Sequence, residues 1–256
     1  MNSRENSLEN FYLEDWIWQP FLQKTIRSFA ELSPKLLPTS KEYLDKEVTI
    51  GSRNKSIIAR SYLWACQTRK IRKVRAACIS AGRIASVMNL LACPFDNYDL
   101  PFFGADFVTL QAFHLVALDL QPVIKNDRIH TKHVWERLEP IHKKWQSLLP
   151  KTESIPNQFE SYFSPFLLWS KIPLGNEEDY FIKDVLFNAY SDYLDLYMQI
   201  VLEASEVCSD RSRILKEGQE KYMSYRAVKD PARSMLIKLF GEKWTESYIR
   251  DVLFDI

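Results

Sequence analysis

The spacing of apolar residues changes twice along this chain. Between residues 11 and 33 it is helical, with Trp16, Phe21, Ile26, Phe29 and Leu32 on one stripe and Pro20 placed to open or kink a helix. Ser33-Pro34 and Leu37-Pro38 break that stripe, and Thr39 or Ser40 suits the cap of a short turn. From Ser56 the period drops to two. Ile58, Arg60, Tyr62 and Trp64 alternate with Ala59, Ser61 and Leu63, and strand-like runs follow at 71–80, 84–93, 105–110 and 114–120. The connectors Ser80-Ala-Gly82 and 94–101 are too short for crossover helices, which predicts antiparallel neighbours. After Pro122 the helical period returns over 130–149, stopped by Pro150. A short strand at 166–170 and helices over 177–208, 209–226, 230–240 and 243–254 complete the chain. A block of consecutive strands bracketed by helices predicts an α+β fold. No repeat or long linker divides it, so residues 1–256 read as one domain, with 1–50 as a helical extension packed on it.

Composition narrows the function classes. The chain has 256 residues, 46% hydrophobic, 13% aromatic and 26% charged, which excludes a disordered tail, a collagen-like repeat and a coiled coil. Its 34 basic and 33 acidic residues leave a formal charge of +1, too little to drive it onto nucleic acid or an anionic membrane. No apolar run is long enough to span a bilayer, and the polar, acidic first residues carry no apolar leader. The four cysteines form no C-x-x-C pair and read as reduced thiols, three of them in strand-like text, rather than as disulfides or iron–sulfur ligands. The six glycines compose neither a G-x-G-x-x-G nor a phosphate-binding loop. His130 and His133 lack a third ligand for a metal and read as surface or capping residues.

Two acids and one basic run hold the remaining chemistry. Asp106 lies among Phe103, Ala105, Phe107 and Val108. It is either an outward strand position or an acid in an apolar pocket, where loss of hydration favours the protonated, proton-donating form. Asp230, followed by Pro231, suits a helix N-cap with proline at the first helical position. Arg226, Lys229 and Arg233 around it suit anionic groups of a ligand. Arg69-Lys-Ile-Arg-Lys-Val-Arg75 sets five positive charges in seven residues, either a docking edge for an acidic partner or a solvated strand.

Several stretches together are similar to the ferredoxin-dependent bilin reductases. They are Pro94-Phe-Asp-Asn-Tyr-Asp-Leu-Pro-Phe-Phe-Gly-Ala-Asp106, Leu118-Asp-Leu-Gln-Pro122, Tyr162-Phe-Ser-Pro165, Tyr193-Leu-Asp-Leu196, Lys229-Asp-Pro-Ala-Arg233, Phe240-Gly-Glu-Lys-Trp-Thr-Glu-Ser-Tyr248 and Val252-Leu-Phe-Asp255. The similarity runs from about residue 55 to the C-terminus. It implies a three-layer α/β/α sandwich around an antiparallel sheet, a tetrapyrrole held between sheet and C-terminal helices, and electrons from a [2Fe–2S] ferredoxin, with no cofactor bound in the chain. It further implies Asp106 and Asp230 as proton donors to a bilin radical. Asn89, Arg226, Lys229, Arg233 and Lys171 become candidate substrate-binding residues, Arg226, Arg233 and Lys171 among them for the propionates, and Arg69, Lys70, Arg72, Lys73 and Arg75 become candidates for ferredoxin docking. The family member that forms phycocyanobilin carries a His and a Glu on successive strands before the aspartate strand. This sequence has Asn89 and Ala77 there. That departure suits the phycoerythrobilin-forming branch and so implies reduction of the A-ring diene of 15,16-dihydrobiliverdin, supplied by an upstream reductase. A phytochromobilin- or phycourobilin-forming reductase is the alternative inside the family, and a non-redox bilin carrier or lyase the alternative outside it. The resemblance implies a monomer in a cyanobacterial cytoplasm or a plastid stroma.

Overall fold

Alternation in the middle of the chain builds one antiparallel sheet of eight strands. This computed structural model describes residues 16–51, 56–82, 84–155 and 160–255. The strands are β1 (Lys35–Leu36), β2 (Asp45–Ile50), β3 (Ile57–Gln67), β4 (Ile71–Ser80), β5 (Ser86–Pro94), β6 (Phe102–Thr109), β7 (Phe113–Gln121) and β8 (Leu168–Pro173). They lie in the order β1-β3-β4-β5-β6-β7-β8, with β2 also paired to β3. The helices are α1 (Gln19–Ala30), α2 (Lys41–Leu44), α3 (Arg128–Gln146), α4 (Phe187–Glu203, entered through a π-helical turn at Tyr180–Leu186), α5 (Ser209–Val228), α6 (Arg233–Phe240) and α7 (Glu242–Ser247). A second π-helical turn, Tyr248–Phe254, ends the described chain.

Period two sends alternate residues to opposite faces, and each face has its own core. Trp64, Val74, Met88, Leu90, Phe103, Phe107, Val116 and Leu118 meet Phe21, Phe29, Tyr190 and Tyr197 from α1 and α4. Phe21 stands edge-on to Phe107 and Tyr190, with ring centroids 5.1 Å and 5.3 Å apart. Leu63, Ala77, Val87, Leu91 and Phe102 face the other way, onto Tyr222, Met223, Leu236, Trp244 and Phe254. Each large side chain withdrawn from water contributes about 1.5–3 kcal/mol, so the sheet is stable because it is covered twice. The three layers and the antiparallel sheet are those expected.

Several boundaries differ. The part of the first helix expected at 11–15 lies outside the described residues. α1 begins at Gln19 with Pro20 in its first turn, where a missing N–H costs nothing. The segment expected to be a helical extension carries β1 and β2 as well as two helices. β2 reads Asp-Lys-Glu-Val-Thr-Ile, a half-exposed edge strand whose charges mask its alternation. α6 starts at Arg233, three residues after Asp230, so Pro231 belongs to a turn rather than to a helix.

Candidate active site

Asp106 does not face open solvent. The register pairs Ala77 with Asn89, Asn89 with Asp106, Asp106 with Ala117, and Ala117 with Trp169, one continuous row on the face toward α5. Over this row lies a cavity of about 350 Å³. Arg75, Asn89, Asp106, Ala117, Gln121, Trp169 and Lys171 form its sheet wall. Tyr222, Arg226, Pro231 and Phe254 close it from the helical side, and Glu153, Ser154, Ile155 and Phe163 from the segment before β8. Gly104 also lines it, two residues from Asp106. A Cβ there would stand 2.7 Å from Gln121 Nε2, and Gln121 Oε1 accepts the Tyr222 hydroxyl at 2.5 Å. Glycine keeps the floor low at that point.

The electrostatics centre on Arg226. Its guanidinium sits 6.0 Å from the Tyr222 ring and 5.9 Å from the Phe254 ring. Burial alone would pull its pKa down, but Tyr222, Asp230 and Asp106 carry it above the ordinary arginine value. Its Nε has no hydrogen-bond partner among the described residues. Burial raises the pKa of Asp230, and the charge of Asp106 pushes the same way. Arg226 and the Ala232 N–H, which donates to Asp230 Oδ1 at 2.7 Å, pull it back. The capping chemistry expected of Asp230 is therefore real but serves the turn before α6. Asp106 makes no hydrogen bond to another described residue through its carboxylate.

Lys171 reaches the cavity wall from β8, 5.6 Å from the Phe113 ring. Arg233 and Lys229 do not line the cavity. Arg233 is held by Glu246 and the Ala227 carbonyl, and Lys229 is exposed at the end of α5.

The basic run comes apart. Lys70 is spent on the C-terminus of α4, its Nζ donating to the carbonyls of Val201, Leu202 and Ala204 at 2.8, 2.9 and 2.7 Å. Arg72 pairs with Asp255 at 2.8 Å, and Lys73 lies beside the same carboxylate with its pKa lowered by burial. Arg75 is the clear correction. It is 2% exposed and turned inward, since position 75 shares the face of 73 and 77, so it offers no charge to a docking partner. Arg69 alone of the five is well exposed.

Two further polar groups, His130 and Asp119, are buried. His130 is neither a surface nor a simple capping residue. Its Nδ1 lies 2.5 Å from Asp99 Oδ1 and its Nε2 accepts the Val123 N–H at 2.9 Å, tying the start of α3 to the 94–101 loop. Asp119, inside the Leu118-Asp-Leu-Gln-Pro122 motif, is wholly buried. It accepts the Ser164 amide at 2.7 Å and the Ser164 hydroxyl at 2.5 Å, and burial lifts its pKa to about 7 against those bonds. Cys66, Cys78 and Cys93 are buried thiols, with burial pushing Cys66 up to about 12 and Cys93 to about 11, while Cys208 is exposed. Among the described residues no three His, Cys, Asp or Glu side chains are grouped to hold a metal ion, and no helix is long and apolar enough to cross a membrane.

An apolar cavity between a sheet and its covering helices, with carboxyl and guanidinium groups inward, defines a site for a large, mostly apolar ligand bearing acidic groups. The model of the family "ferredoxin-dependent bilin reductase" matches residues 21–255, and the chain belongs to that family of ferredoxin-dependent oxidoreductases. Its relatives include the phycoerythrobilin:ferredoxin oxidoreductases of Synechococcus sp. (strain WH8020), 48% identical over all of this chain and 99% of that one, and of Synechococcus sp. (strain RCC307), 50% identical over 99% and 97%. That of Prochlorococcus marinus (strain MIT 9211) is 48% identical over 99% and 98%. Phytochromobilin synthase from tomato, solved in complex with biliverdin, shares the fold with a TM-score of 0.76 over 91% of this chain and 82% of that one, at 24% identity.

Proposed function

We propose that this bilin reductase converts 15,16-dihydrobiliverdin to phycoerythrobilin by reducing the A-ring diene. The balance is two electrons and two protons per pigment. Reduced [2Fe–2S] ferredoxin delivers the electrons singly, so the pigment passes through a radical. Each added electron makes the pigment more basic, and a carboxylic acid beside it transfers a proton. Asp106 supplies one from the sheet and Asp230 the other from the turn before α6, and both recover their protons from solvent. A raised pKa at Asp230 supports this role, because it keeps a larger share of that carboxyl protonated near neutral pH.

The observation that carries the reading is the cross-strand row Ala77–Asn89–Asp106, in which only Asp106 can give up a proton. A reaction needing a second acid on the sheet finds none in that row. Arg226 and Lys171 are the groups proposed for the propionates, as charge-assisted partners on the cavity wall. The proposed ferredoxin-docking patch reduces to Arg69, Arg72 and Lys73.

Asp106→Asn tests the reading. The amide matches the carboxyl in size but has no proton to give, so the variant is expected to bind bilin as tightly as the wild type. With reduced ferredoxin it should accumulate a long-lived radical absorption and little phycoerythrobilin. Wild-type turnover would remove Asp106 from the mechanism.

A further inference from the structure

Arg75 is a permanently charged side chain buried in the middle of β4, on the sheet face that lines the cavity. Its Nε donates to the Leu253 carbonyl at 2.9 Å, and its Nη1 donates to both oxygens of Asn89, the backbone one at 3.1 Å and Oδ1 at 2.5 Å. A guanidinium carries donors and no acceptor. The amide oxygen of Asn89 must therefore face Arg75, since the amide nitrogen in that place would set donor against donor. That fixes the other end of the amide. Nδ2 keeps two hydrogens with no acceptor among the described residues, and Asn89 lines the cavity directly across from Asp106 in the strand register.

We infer that Arg75 is a positioning residue, holding the Asn89 amide so that its N–H donors face the pigment beside Asp106 and receive a lactam carbonyl oxygen. The inference rests on the cavity being the bilin site. The terminal rings of a linear tetrapyrrole are lactams, whose carbonyls are strong, uncharged acceptors. An amide donor suits them, while the propionates call for cations. Asn89 is also inert to pH, so it orients the ring without competing with Asp106 for a proton. The buried charge of Arg75 acts at one remove, through the amide that it turns.

The test is a double-mutant cycle on bilin affinity, read by absorbance titration, with thermal melts to confirm that each variant folds. Asn89→Ala removes the donor and leaves Arg75 its two backbone acceptors. Arg75→Met, of similar length and without a donor, lets the amide turn. Each is expected to weaken bilin binding about tenfold, the loss of one hydrogen bond, and the double variant no further. In ¹⁵N-labelled wild-type protein, the Asn89 side-chain amide signals, assigned by their absence from Asn89→Ala, should shift when bilin is added. Additive losses in the cycle, wild-type affinity in Asn89→Ala, or unmoved amide signals would overturn the inference. Wild-type protein that bound no bilin at all would instead overturn the reading of the cavity, and the inference with it.

Discussion

Asp230 carries two roles that substitution can separate. Its Oδ1 accepts the Ala232 N–H at 2.7 Å, and its backbone carbonyl accepts the Arg233 N–H at 3.3 Å, so the side chain closes the turn that launches α6. Asn can make the same side-chain bond, whereas Ala loses it. By the usual worth of such a cap, Asp230→Ala should cost about 1 kcal/mol and Asp230→Asn a few tenths at most. In a chain of this size about 1 kcal/mol lowers the melting temperature by about 2–4 °C. If Asp230 served the turn alone, activity would follow that stability order, with Asn near wild type and Ala slightly impaired at assay temperature. If it is a proton donor, both variants lose turnover together while their melting temperatures stay apart. The assay is anaerobic turnover with reduced ferredoxin, read from the pigment's absorption, beside thermal melts of the same samples. Loss of the carboxylate also takes from Arg226 one of the charges that raise its pKa, but leaves it Tyr222 and Asp106, so bilin binding should persist. Normal turnover by Asp230→Asn would refute the donor role and leave Asp230 to the turn.

Two further outcomes follow from the same geometry. Asp119 is protonated in the folded chain up to about pH 7 but ionises near its ordinary value when unfolded. The folded state therefore binds the extra proton between about pH 4 and 7 and loses stability across that window as pH rises. Asp119→Asn should gain on the wild type in melting temperature over the same window, and parallel pH profiles would show that Asp119 ionises normally. Reversing Arg69 and Arg72 to Glu should raise the ferredoxin concentration needed for half-maximal rate at low salt by about tenfold and flatten its dependence on salt. Unchanged kinetics at low ionic strength would place docking on another face.

The fold was legible wherever one residue in two, or one in three to four, had to be apolar. β3 to β7 and the long helices follow from that rule because each buries one whole face. β2 escaped it because an edge strand beside solvent carries Asp45, Lys46 and Glu47, and its inward residues are few. The strand alternation that revealed the sheet also contained the placement of Arg75, since positions 75 and 77 share a face with 89 and 106 once the register is set. A run of five cations reads as a surface until register shows that one of them is inside. Asp106 and Asp230 were visible as unusual acids, but sequence spacing could not say that Asp106 shares a cavity with Arg226 and with Pro231, the neighbour of Asp230, because Asp106 and Asp230 stand 124 positions apart. His130 and Asp119 left only the faint signal of a polar residue inside an apolar motif.

The most direct test of the central claim offers the wild-type protein biliverdin and 15,16-dihydrobiliverdin in separate anaerobic reactions with reduced ferredoxin, followed by chromatography of the extracted pigments. The account predicts phycoerythrobilin from 15,16-dihydrobiliverdin and no A-ring reduction of biliverdin. Consumption of biliverdin to an A-ring-reduced product, or return of 15,16-dihydrobiliverdin unaltered, would contradict it.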